Sequence, residues 1–189
     1  RASFQKRDQA WMDDFVAIFL DTYGDANTGT MIGSNPYGIQ MDALNNGNGN
    51  DDPSFDLVYE SKGKITDDGY QVEMAIPFSS LSFPDNEVQE WKVGFYRSLP
   101  REKRSQIVWG GFDRTNPCFL CQMGTLIGIQ GIKQRGSFEF LPAIVGSQTA
   151  ELDQNNTLKK GTAAGEASLG IKYSLSSDRV IELTINPDY

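Results

Sequence analysis

Histidine is absent from this 189-residue sequence. That removes the commonest general base and the commonest zinc and haem ligand. Cysteine is nearly absent: Cys118 and Cys121 stand alone, as Cys-Phe-Leu-Cys. A zinc site would need two more soft ligands, and there are none. A redox motif and a local disulfide remain open for such a pair. A redox pair normally opens a helix after a strand, whereas Asn116-Pro117 before this one and Gly124 after it are loop-forming. The spacing therefore favours a small loop closed by a Cys118–Cys121 disulfide, in an oxidising compartment. No apolar run is long enough for a membrane-spanning helix, and no signal peptide is visible. The first residue is Arg, so the sequence reads as an internal piece whose targeting segment lies outside it.

Positive charge is scarce in the first half. Up to Pro100 there are 7 basic and 16 acidic residues, and after it 10 basic and 9 acidic. A nucleic-acid partner is disfavoured, because phosphate binding needs Lys and Arg. The one basic cluster, Arg97, Arg101, Lys103 and Arg104, reads first as counter-charge to the acidic half. Hydrophobic residues make up 39% and charged residues 22% of the chain, a globular balance.

What the chain has in quantity is strand pattern. Asp67–Phe83 organises the rest. Asp68-Gly69 is a turn dipeptide. Tyr70, Val72, Met74 and Ile76 then alternate with Gln71, Glu73 and Ala75, the period of a strand with one buried face. Pro77 has no N–H for a ladder and ends it. In Asp13–Asp21 both alternating faces are apolar, which predicts a central strand covered on both sides. Thr30–Ser34, Gly38–Met41, Phe55–Ser61, Trp91–Ser98, Ile107–Trp109, Gly124–Ile132 and Phe138–Val145 also read as strands. Lys62–Asp68 reads as a hairpin connection, Asn45–Pro53 as an exposed loop and Gln148–Gly161 as a polar connection. No long helix is expected. Asp21, Asp25 and Asn27 in the loop after the first strand could hold calcium, a cation that takes carboxylates and carbonyls. The same residues also make plain turns. In Glu166–Leu175, and again from Ile181 to Ile185, apolar residues alternate with small or polar ones. Each run approaches the ~10-residue length of a tilted membrane strand, although a soluble amphipathic hairpin has the same pattern.

Taken in order, DDFVAIFLDTYGD, SNPYGIQMDA, FDLVYES, DGYQVEMAIPFSSLSF, WKVGFYR, the Trp109 strand and GIKYSLSSDRVIELTINPDY resemble a group of bacterial surface proteins. These have an N-terminal domain like carbohydrate-binding module family nine, followed by an outer-membrane β-barrel. The resemblance covers nearly the whole chain. It implies an all-β antiparallel sandwich over residues 1–146, a linker over 147–163 and the first barrel hairpin over 164–189. It places the protein in the bacterial cell envelope, at the periplasmic or extracellular face of the outer membrane. One or two strands would precede Arg1, and the barrel would continue after Tyr189. Tyr59 and Tyr70 stand where the family often has Trp, which alters any aromatic sugar platform. A calcium ion is found in related modules.

Three functions are weighed. A glycan-binding module needs flat aromatic faces and a few polar groups. The platform candidates are Trp109, Trp11, Tyr59 and Tyr37, with Asn35, Asp42 and Arg97 as polar partners. A structural or assembly domain would plug or cap its own barrel, or dock onto other envelope proteins. A glycoside hydrolase would need paired carboxylates, and Glu73 with Asp14 or Asp56 is the only sort of pair to nominate. No nucleophile elbow or metalloprotease motif accompanies them. The expectation is a module without enzymatic activity.

Overall fold

The computed structural model describes residues 2–47, 51–133, 138–152, 158–176 and 179–186. The fold is all-β and antiparallel throughout, with one sheet curled into half a barrel. Among the described residues the only helical pieces are two 3-10 turns, Phe78–Ser80 and Leu120–Gln122.

Strand β1 (Phe15–Asp21) lies at the centre of the main sheet, between β2 (Thr28–Ser34) and β7 (Val88–Pro100). Its two apolar faces explain the place. Phe15, Ala17 and Phe19 enter one core cluster with Met31, Met41 and Ala43, while Leu20 enters the other with Ile32, Val93 and Trp91. Beyond β2 come β3 (Gln40–Asn46) and the two-residue β4 (Asp51–Asp52). On its far edge β7 pairs with β8 (Arg104–Val108) along its C-terminal half and with β9 (Gly124–Gln130) along its N-terminal half. The expected loop at Asn45–Pro53 is thus partly ladder, with Asn45 opposite Asp51; residues 48–50 lie outside the described residues.

A second layer, the hairpin β5 (Glu60–Ile65) and β6 (Tyr70–Ala75), covers one face of this sheet. Tyr70, Val72, Met74 and Ile76 are half-buried and Gln71, Glu73 and Ala75 exposed, the alternation read from the sequence. β5 comes so close to the turn at 35–38 that a Cβ on Gly63 would stand 2.2 Å from the Pro36 carbonyl oxygen.

Two expectations fail in this region. The ladder includes Lys62–Ile65, so the connection shrinks to the turn at Thr66–Gly69. Phe55–Tyr59 is not a strand, because distant side chains take the backbone groups a ladder would use. The Leu57 N–H donates to the Asp42 carboxylate, the Leu57 carbonyl accepts from Arg7 at 2.9 Å, and the Tyr59 carbonyl accepts from Gln40 at 2.6 Å.

The third sheet is a meander of β10 (Phe138–Leu152), β11 (Leu158–Ser176) and β12 (Arg179–Ile185). The linker expected over 147–163 is therefore largely strand. Backbone pairing carries the ladder through Gln148↔Ala163 to Leu152↔Leu158, with an irregularity between Gln148 and Ala150. It also joins Phe138–Val145 to this sheet rather than to the sandwich.

Candidate functional site: a cleft between the two layers

At the turn end of the β5–β6 hairpin the layers part and leave a cleft of about 550 Å3. Its floor is a fixed charged pair. Asp14, just before β1, is almost fully buried, and Arg97 of β7 reaches it from the neighbouring strand. Arg97 Nε and Nη2 donate to the two Asp14 oxygens, each at 3.2 Å. Tyr70, the first residue of β6, donates its hydroxyl to Asp14 at 2.7 Å, and the Arg97 guanidinium lies 5.0 Å from the centre of the Tyr70 ring. Burial, and then the Asp14 carboxylate, hold the Tyr70 hydroxyl above its ordinary pKa, so it stays a donor. The hydrogen bonds to Asp14 raise Arg97 above its own.

The opposite wall is Tyr37, 36% exposed, its ring 4.3 Å from that of Phe4. Asn35 sets its position. The Asn35 side-chain Oδ1 accepts the N–H groups of Tyr37 at 2.9 Å and Ile39 at 3.1 Å. Its amide nitrogen donates to the Ser3 carbonyl and to Asp13, each at 3.0 Å. Gly38 follows at φ +81, which a side chain would resist. Asp68, Gln71 and Arg101 complete the rim.

Of the seven platform and partner residues named from the sequence, Tyr37 and Arg97 meet in this cleft. Asn35 serves it from behind, as a fully buried turn-former. Tyr59 is buried in the core, its hydroxyl donating to the Gly33 carbonyl at 2.7 Å and accepting the Met41 N–H at 3.0 Å. Asp42 is fully buried and ion-paired to Arg7. Trp11 is half-buried and packs edge-on against Phe15. Tyr59 and Asp42 offer no face or contact to a sugar, and Trp11 lies outside the cleft lining. Trp109 is 60% exposed but stands elsewhere. It lines an apolar groove of about 700 Å3 between Val72 and Met74 of β6, with Ile76 just after it, and Phe95 and Ile107 of β7 and β8.

The sequence reading missed Tyr70, Gln71 and Arg101 as site residues. The available signal was position: Tyr70 and Gln71 follow the Asp68-Gly69 turn directly, so they fall at the rim of the layer.

The residues named for calcium make turn hydrogen bonds. Asp21 is fully buried and its carboxylate accepts the N–H groups of Tyr23, Gly24 and Ala26 at 3.1, 2.7 and 2.8 Å. Asp25 accepts both from the Asn27 backbone and from its side chain, each at 2.9 Å. These oxygens shape the turn. The carboxylates that do cluster are Asp8, Asp42 and Asp56, within 4.8 Å of one another, and Arg7 ion-pairs with all three. Nor do the nominated hydrolase carboxylates converge. Glu73 faces solvent opposite Lys62, Asp14 is held by Arg97, and Asp56 by Arg7. Cys118 and Cys121 are disulfide-bonded.

No family model matches this chain, and neither a curated protein nor a solved structure does.

Proposed function

We propose that the β1–β9 sandwich is a non-catalytic carbohydrate-binding-like module of a bacterial outer-membrane β-barrel protein, with β10–β12 as the first barrel strands. One observation carries the binding half. The cleft sets two tyrosine rings beside a rigid arginine–carboxylate pair, with an amide and a second arginine on the rim. A pyranose presents an apolar C–H face and a ring of hydroxyls, and such a cleft offers a partner for each. The pair is locked by its own hydrogen bonds, so little ordering is lost on binding.

The barrel half is supported by the motifs named in the sequence and by the two faces of the meander. Phe138, Phe140 and Ile144, opposite Tyr173, Ile171 and Ala167, make an uncharged outward band with Ile181, Leu183 and Ile185. Beside this band Glu139, Lys172, Glu182 and Glu166 lie on the other face. A soluble sheet would turn these faces the other way round.

Calorimetric titration with bacterial and plant oligosaccharides tests the binding half. One of them should bind, and Tyr37→Ala should weaken it at least tenfold, about 1.4 kcal/mol. Heat from no glycan, with or without added calcium, would overturn it. That result would favour the second reading, a structural or assembly domain docked to its barrel, which the contacts between the sandwich and β11 support.

A further inference from the structure

We infer that the sandwich is seated on the lumen side of the barrel wall and acts as its plug. This rests on the reading of β10–β12 as barrel strands. A domain tethered to a barrel can hang below it, lie against its rim or enter it, and the side chains of β11 discriminate among these. Lys172 is the first. It is 6% exposed although it belongs to a sheet whose outward residues are mostly open to solvent. In register it stands between Glu139 of β10 and Glu182 of β12. Its ammonium points into the sandwich and lies 4.7 Å from the centre of the Phe55 ring. Beside it Val180 and Glu182 close a cavity of about 280 Å3 against Leu20, Phe55 and Leu81. Glu139 Oε2 is buried on the same face.

Glu166 is the second. It pairs with Lys6 of the N-terminal segment, again on the face that bears Lys172. Glu166 and Lys172 are six residues apart on one strand. At ~3.3 Å per residue the two contacts stand about 20 Å apart along the strand. The apolar band of an outer-membrane barrel is about 25 Å tall. Barrel strands tilt by about 40°, so the two contacts differ by about 15 Å in height, too far apart for a domain that touches only the rim. The uncharged face, Phe138, Phe140 and Ile144 with Leu183 and Ile185, points away from the sandwich over the same length. A barrel has a polar inside and an apolar outside, so the side the sandwich occupies is the inside.

The intact protein in its own outer membrane tests this. Two double variants, Lys6→Cys with Glu166→Cys and Phe55→Cys with Lys172→Cys, add one cysteine to each side of the contact. The natural pair is already disulfide-bonded, so a short bis-maleimide reads the new thiols. Heat-modifiable migration on gels reports the folded barrel in the same samples. The inference expects cross-linking in most folded molecules for at least one pair, and a rise in single-channel conductance of severalfold when Lys6 and Lys172 are both changed to Glu. Folded barrels in which neither pair cross-links would overturn the plug while leaving the barrel standing. Migration unchanged by heat, with the protein extracted by carbonate, would instead remove the barrel reading and the plug with it.

Discussion

Arg7 sits among Asp8, Asp42 and Asp56, and it also donates to the Leu57 carbonyl at 2.9 Å. The N-terminal segment is thereby pinned to β3 and to the chain leading into β5. Replacing Arg7 with Met would leave three close carboxylates without their cation, a change that typically costs about 3–5 kcal/mol. Urea denaturation should show a loss of that order, and a loss below about 1 kcal/mol would mean that the cluster is open to water. The same cluster sets a pH dependence. Burial outweighs the attraction of Arg7 and, with repulsion from Asp8 and Asp56 added, pushes Asp42 up to about 7. An acid whose folded pKa lies above its unfolded value of about 3.8 binds its proton more tightly when folded. Its contribution to stability is complete below about pH 4 and is lost as pH rises through 7. Stability compared at pH 5.5 and 8 should fall with rising pH in the native protein, and Asp42→Asn should flatten that slope.

Strands and loops differ in how they are held. The Cys118–Cys121 loop holds Leu120, which is fully buried, and Phe119, which packs edge-on against Phe19 at 4.9 Å. So small a ring constrains the unfolded chain only slightly. Replacing both cysteines with Ser should cost about 2 kcal/mol, with new proteolysis confined to residues 110–123. Equal urea midpoints with and without the disulfide would show that the two apolar side chains hold the loop unaided. At this scale the sequence was legible where the pattern is local. The alternation of β6 and the doubly apolar β1 needed only neighbouring residues, and both took the predicted faces. Phe55–Tyr59 alternates just as well, yet its backbone partners are Arg7, Gln40 and Asp42, remote in sequence. Residues 147–163 carry no period because β10 and β11 are held there by backbone pairing between exposed positions. Tyr59 and Tyr37 are chemically identical. Their different fates, one buried and one lining the cleft, depend on the layer above and could not be read from composition.

For the molecule as a whole, the test lies in the two faces of the third sheet. Ile144 is 88% exposed on the uncharged face, and Ser147, three residues on in β10, is on the other. If the sheet faced water on its apolar side, Ile144→Arg would be a surface change worth no more than about 0.5 kcal/mol. Against lipid, an arginine costs roughly 2–4 kcal/mol near the midplane. On the charged face Ser147 is open to solvent, so an arginine there carries no such penalty. Folding of the intact protein into phospholipid vesicles should therefore be impaired by Ile144→Arg and nearly unaffected by Ser147→Arg. Urea titration of the vesicle-bound protein would measure both. Equal, small effects at the two positions would leave β10–β12 as an ordinary soluble meander, and the apolar face would then need a protein partner rather than a bilayer.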